Sequence, residues 1–305
     1  MAQENIKLYG NCPVSKRYCA QCHDGFHRNP NYNATLGIFE YTCELDLCVC
    51  ENGSPPSNCL EPHGSEVCES CDSNYELLQE ICIPSNLKEF CYKAAPIDIV
   101  YVVDGSGSVG YDAFMLELNF LRTVSGAMDI GPNSTRIALV QYDHHDQLEF
   151  NFIDDPSKIV SAFGNINYMG GATRTGKAIT FAYDFVVRGY ARAGINVKIV
   201  VVTDGQSGDD VKIASDAMRD HGIEMLAVGF SHYNLAQLQD IANNPDQEYL
   251  FTGGSGDDLK GLIEDVTLTV CKTDEVGTRL PGGFSPLDEN VLAMIEDSYV
   301  EAPEI

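Results

Sequence analysis

Apolar residues change their rhythm near position 94. Before it they are sparse and scattered among cysteine, asparagine and glutamate; after it, short β-branched runs alternate with longer stretches where apolar residues recur every three or four positions. Runs of about four to eight β-branched residues suit buried strands, and the three-to-four spacing suits helices with one apolar face. Strands are predicted over 97–103, 136–142, 148–152, 197–203, 224–230 and 249–251, and helices over 111–124, 157–165, 175–188, 209–219, 234–242 and 257–270. In the first helix Phe114, Leu118 and Leu121 share a face. Alternation of this kind signals an α/β fold: a doubly wound, mostly parallel six-stranded sheet with helices on both faces. The polar turn Asp143 to Gln147 joins two of the runs as a hairpin and supplies one antiparallel edge strand. His144 and His145 lie in that turn and are read as solvent-exposed rather than catalytic.

Cysteine is just as uneven. Ten of the twelve lie between Cys12 and Cys82, and the last two, Cys91 and Cys271, stand at the two edges of the α/β region. Dense cysteine in a short segment with little apolar residue to bury reads as a disulfide framework in an oxidising compartment. The segment carries a degenerate repeat: Cys19-Ala-Gln-Cys22-His-Asp-Gly-Phe26 matches Cys68-Glu-Ser-Cys71-Asp-Ser-Asn-Tyr75. These units resemble small EGF-like modules, the first truncated (1–47) and the second spanning 48–91. A zinc site at the Cys-x-x-Cys pairs, helped by His23 or His27, is the alternative. Sequons at Asn33, Asn52 and Asn133 agree with secretion and N-glycosylation. Residues 1 to 12 lack the apolar core of a signal peptide, which conflicts with this cysteine usage, so the chain is expected to be a fragment or an incomplete gene model of a secreted protein.

The formal charge of −26 over 305 residues argues against a nucleic-acid partner or an anionic membrane. No apolar run approaches the length of a membrane span.

The chemistry concentrates where strands end. Asp98-Ile-Val-Tyr-Val-Val-Asp104-Gly-Ser106-Gly-Ser108-Val-Gly110 is a strand followed by a glycine-rich turn that points Asp104, Ser106 and Ser108 toward one spot. One carboxylate and two hydroxyls make a hard, oxygen-only site of the kind Mg²⁺ prefers. Gly170-Gly-Ala-Thr173-Arg-Thr-Gly-Lys177 and the run 198–205, which ends in Asp204-Gly205, are placed to complete it. Ligands in open α/β sheets gather beyond the carboxyl ends of strands, where such loops meet.

These motifs, in this order, resemble the von Willebrand factor type A (VWA) domain and its metal-ion-dependent adhesion site, in the flavour of matrilins and collagen-associated proteins. The resemblance covers roughly residues 96 to 271 and implies a domain over 92–272. It implies an ion, Mg²⁺ with Mn²⁺ or Ca²⁺ as substitutes, held by Asp104, Ser106, Ser108, Thr173 and Asp204. The serines would bind directly, and Thr173 and the aspartates directly or through water. The implied function is secreted adhesion: a place on the ion is left for a carboxylate of a matrix or cell-surface protein, collagen-like or acidic. Asp209 and Asp210 are read as solvated acids at a helix start, and Arg174 and Lys177 as rim charges.

Cys91 and Cys271 are expected to pair, because the termini of such a domain are often close and ten cysteines upstream are already even. The alternative pairs Cys91 within the N-terminal modules and leaves Cys271 free. Residues 273–305 read as a linker and a helical tail in which Val291, Met294 and Ile295 share a face, with a vague resemblance to the first segment of a cystatin. Two other functions compete with adhesion: a metal-assisted hydrolase, for which the motifs offer no His or Cys as general base, and a cysteine-protease inhibitor acting through the tail.

Overall fold

The computed structural model describes residues 26–33, 38–45, 50, 52–57, 67–78, 81–253, 262–272 and 284–299. Cys12, Cys19, Cys22, His23, Cys48 and Cys59, and the start of the helix expected over 257–270, lie outside them. The chain divides after Ser85 into two units.

Among the described residues the first unit has three antiparallel pairs: β1 (Phe26–Asn33) with β2 (Ile38–Leu45), β3 (Gly53–Ser54) with β4 (Ser70–Cys71), and β5 (Tyr75–Leu78) with β6 (Ile81–Pro84). Disulfides Cys50–Cys68 and Cys71–Cys82 hold it. Cys68 and Cys71 therefore belong to two different bridges and offer no thiolate pair to zinc.

The second unit begins in α1 (Ser85–Tyr92) and is built on six strands: β7 (Ile97–Asp104), β8 (Arg136–Tyr142), β9 (Asp146–Ile153), β10 (Asn196–Thr203), β11 (Glu224–Phe230) and β12 (Leu250–Gly253). Their order across the sheet is β12-β11-β10-β7-β8-β9, and only β9 runs antiparallel to its neighbour. Among the described residues the α-helices of four residues or more after α1 are α2 (Tyr111–Gly126), α3 (Pro156–Gly164), α4 (Thr175–Ala182), α5 (Val211–Asp220), α6 (Leu235–Ile241), α7 (Asp246–Tyr249), α8 (Ile263–Cys271) and α9 (Glu289–Asp297). Beyond Ala182, α4 passes into a wider π-helical turn, Tyr183–Val187.

Every residue of β7 is buried, because both faces of the sheet are covered. Ile97, Ile99, Tyr101 and Val103 join Phe114, Leu118 and Leu121 of α2 and Val266 and Val270 of α8 in one core layer. Val100 and Val102 join Ile179 and Ala182 of α4 and Ala214 and Met218 of α5 in the other. Cys91 and Cys271 are joined by a disulfide across 180 positions.

The tail is part of this unit. Helix α9 packs against α4 and α5, its start capped by Asp288, whose carboxylate accepts the Asn290 N–H at 2.8 Å. Leu287 and Ile295 are buried and the expected Val291 packs against the core, whereas Met294 is 55% exposed and Leu292 takes its place on the apolar face.

Candidate metal centre

Strand order reverses between β7 and β10: the chain leaves β7 for β8 on one side and returns later to β10 on the other. The crevice beyond the carboxyl ends of these two strands is where such sheets bind ligands. Asp104 ends β7 and Asp204 follows β10.

The oxygens there form a continuous chain. Ser106 N–H donates to Asp104 Oδ1 at 2.9 Å, Ser106 Oγ and Ser108 Oγ are 3.1 Å apart, and Ser108 Oγ donates to Asp204 Oδ1 at 3.2 Å. Thr203 donates to Asp104 Oδ2 at 2.6 Å, and the phenol of Tyr168 donates to the Ser106 carbonyl at 2.7 Å. The serine loop turns into α2 at Gly110, whose φ of 73° is a conformation that glycine adopts without strain.

Thr173 is placed by its backbone. Gly107 N–H donates to the Gly171 carbonyl and Gly170 N–H to the Gly105 carbonyl, both at 2.7 Å, so loop 170–173 is zipped to the serine loop. Gly208 N–H donates to the Thr173 carbonyl at 3.0 Å, tying the same loop to the one that follows Asp204. Thr173, half-buried, therefore stands between the two loops that carry the other four residues.

Two expectations about the surroundings are corrected. Asp209 is buried rather than solvated. It crosses to the start of α4 and accepts the N–H groups of Gly176 at 2.9 Å and Lys177 at 2.8 Å, while Ser207 Oγ accepts that of Thr175 at 2.8 Å. Three amide groups that a helix start leaves without partners are satisfied by a loop about 30 positions away. Asp210 does cap α5, accepting the Ile213 N–H at 3.0 Å. Arg174 is not a free rim charge: it donates to Glu296 at 2.7 Å and lies over the Tyr299 ring at 4.3 Å. Lys177 faces Asp146 at 3.5 Å.

The electrostatics distinguish the two ends of β7. At the amino end, buried Asp98 is gripped by Arg136 and Arg192, with contacts of 2.7 and 2.8 Å. At the carboxyl end, Asp104 and Asp204 are buried with no ion-pair partner among the described residues. Burial pushes the Asp104 carboxyl up to about 6, against the pull of hydrogen bonds from Ser106 and Thr203. Burial also raises Asp204, opposed by the Ser108 hydrogen bond and the nearby charge of His232.

A third carboxyl escaped the sequence reading. Glu117 of α2 is fully buried, and neither of its side-chain oxygens has a hydrogen-bond partner among the described residues. Burial first, then the charges of Asp104 and Asp204, hold it well above the usual carboxylate range. It stands in the apolar stripe of α2, three positions after Phe114 and four before Leu121. Buried carboxylates of one sign are costly unless a cation or protons compensate them. An oxygen donor set with that excess of negative charge fits a hard divalent cation.

The profile of the von Willebrand factor type A domain matches residues 98–265, and the chain belongs to this family. Bovine cochlin is 33% identical over 242 residues, covering 78% of this chain and 43% of the cochlin chain. The human collagen alpha-1(XXI) chain is 35% identical over 192 residues, covering 62% of this chain and 20% of the collagen. The chain thus spans less than half the length of these curated relatives. Among solved structures, proximal thread matrix protein 1 from the mussel byssus superposes with a TM-score of 0.54 at 25% identity, covering 59% of this chain and 47% of the mussel chain. A further structure of the mussel protein, at a TM-score of 0.53, has zinc in its metal-ion-dependent adhesion site.

Proposed function

We propose that the second unit is a cation-dependent adhesion module of a secreted matrix protein. Asp104, Ser106, Ser108, Thr173 and Asp204 hold one divalent cation, Mg²⁺ by the hardness of the donors. The carrying observation is the pair of buried carboxylates, Asp104 and Asp204, linked through Ser106 and Ser108 and in no salt bridge among the described residues. The bound cation supplies a positive centre for a partner's carboxylate. The protein's part is to hold the oxygens still: Thr203 and the Ser106 amide orient Asp104, and the clamp of Gly107, Gly170 and Gly208 amides positions the Thr173 loop. With three neutral hydroxyls among the five donors, a divalent ion held there would keep enough positive character to attract a partner's carboxylate.

Disulfides in both units, the exposed sequon residues Asn52 and Asn133, and the likeness to cochlin and collagens support an extracellular setting and a matrix or cell-surface protein as partner. The EGF-like reading of the first unit rests on its paired cysteines and short antiparallel strands. No described helix is long and apolar enough to cross a membrane.

The test is retention of the protein on immobilised collagen and matrix extracts, with Mg²⁺ or with chelator. Binding should disappear in chelator and in Asp104→Ala and Thr173→Ala, while circular dichroism is unchanged. Equal retention in chelator overturns the reading.

A further inference from the structure

The turn between β8 and β9 holds a second cluster of a different chemistry. Asp143, His144 and His145 are consecutive, and one ligand atom from each lies within 4.8 Å of the others. The Nδ1 atoms of His144 and His145 are 3.2 and 3.6 Å from Asp143 Oδ1. The turn holds Asp143 from both sides: His145 N–H donates to its carboxylate at 2.6 Å, and its own N–H donates to the His145 carbonyl at 2.9 Å. Its side chain is 5% exposed, whereas those of His144 and His145 are 49% and 71% exposed and open to an ion from solvent.

We propose that Asp143, His144 and His145 form a second cation site, for a borderline transition metal such as Zn²⁺, beside the Asp104–Asp204 centre. Imidazole nitrogens suit Zn²⁺, Cu²⁺ and Ni²⁺ and not Mg²⁺, so the two centres select different metals. A tetrahedral zinc with bonds of about 2.0–2.1 Å has ligands roughly 3.3 Å apart, close to the His144–Asp143 separation of 3.2 Å. Two imidazoles and one carboxylate leave the fourth position for water or a partner's side chain.

The cluster also touches the adhesion rim. A Cβ on Gly171 would come within 2.3 Å of both Asp143 Oδ2 and His144 Nδ1, so this glycine lets the Thr173 loop lie directly against the cluster. The same Gly171 carbonyl accepts the Gly107 N–H of the serine loop.

The test is calorimetric titration of ZnCl₂ into the full chain in saturating Mg²⁺, for wild type, Asp104→Ala, His144→Ala/His145→Ala and His145→Ala. Wild type and Asp104→Ala should each take up a Zn²⁺ ion that the double histidine variant binds at least tenfold more weakly, with His145→Ala intermediate. The double histidine variant should keep the Mg²⁺ affinity of wild type. Zn²⁺ uptake unaffected by loss of the two histidines overturns the proposal, and so does uptake abolished by Asp104→Ala alone, which would place the zinc at the first centre. If Asp104→Ala leaves Mg²⁺ binding intact, the reading of the first centre fails and the zinc proposal stands.

Discussion

The Thr203 hydroxyl donates a hydrogen bond to Asp104 Oδ2 at 2.6 Å, joining the carboxyl ends of β10 and β7 across 99 positions of chain. The bond stabilises the charged form of a carboxyl that burial otherwise pushes toward its neutral form. Thr203→Val keeps the shape and removes the donor. A hydrogen bond to a charged group contributes about 1.5–3 kcal/mol, so Mg²⁺ affinity, read by calorimetry, should fall roughly ten- to hundredfold.

The cation-free domain should lose stability as pH rises. Asp104 has a carboxyl raised by burial to about 6 from an ordinary value of 3.8. The folded state therefore binds more protons than the unfolded state between those values, and unfolding becomes easier across about pH 4 to 6. The loss is on the order of 2–3 kcal/mol for this group, and Glu117, shifted in the same direction, adds to it. Denaturant midpoints in chelator should be higher at pH 4.5 than at pH 7.5, and Mg²⁺ should restore the difference at the higher pH.

Glu117→Gln removes a buried carboxyl whose oxygens have no hydrogen-bond partner among the described residues and whose ionisation burial opposes. Near neutral pH the variant should be more stable than wild type in chelator, by about 1–3 kcal/mol, and should gain less from added Mg²⁺. Chemical denaturation with and without Mg²⁺ measures both.

Asp209→Ala leaves the Gly176 and Lys177 amides at the start of α4 without their acceptor. A lost helix cap costs about 0.5–2 kcal/mol. Hydrogen exchange should quicken at residues 174–177, and Mg²⁺ affinity should fall because Thr173 precedes this helix.

Breaking the Cys91–Cys271 bridge, as in Cys91→Ser/Cys271→Ser, frees the two ends of the sheet domain. Bridges of this span contribute about 2–5 kcal/mol. The melting temperature should drop, and Mg²⁺ binding should persist below it.

The sheet could be read from the chain because its signals are local. The run 97–103 is β-branched on both faces, and the structure buries it on both. The polar turn at Asp143 dictated the hairpin that makes β9 antiparallel. Loops bearing oxygen side chains after strands pointed to the carboxyl-end crevice, where Asp104, Ser106, Ser108 and Asp204 meet. What stayed hidden depends on distant partners. Asp209 looked like the start of its own helix because Gly176, which it caps, lies 33 positions earlier. Arg174 looked free because Glu296 lies 122 positions later. Glu117 was visible as a charge in an apolar stripe, but its nearness to Asp104 and Asp204 exists only once α2 packs on the sheet.

The most direct measurement is a crystal structure of the protein grown in saturating Mg²⁺. One ion is expected about 2.0–2.1 Å from the Ser106 and Ser108 hydroxyls, with Asp104, Thr173 and Asp204 bound to it directly or through water. Ser106, Ser108 and Asp204 still bonded only to one another, with no ion between them, would contradict this expectation.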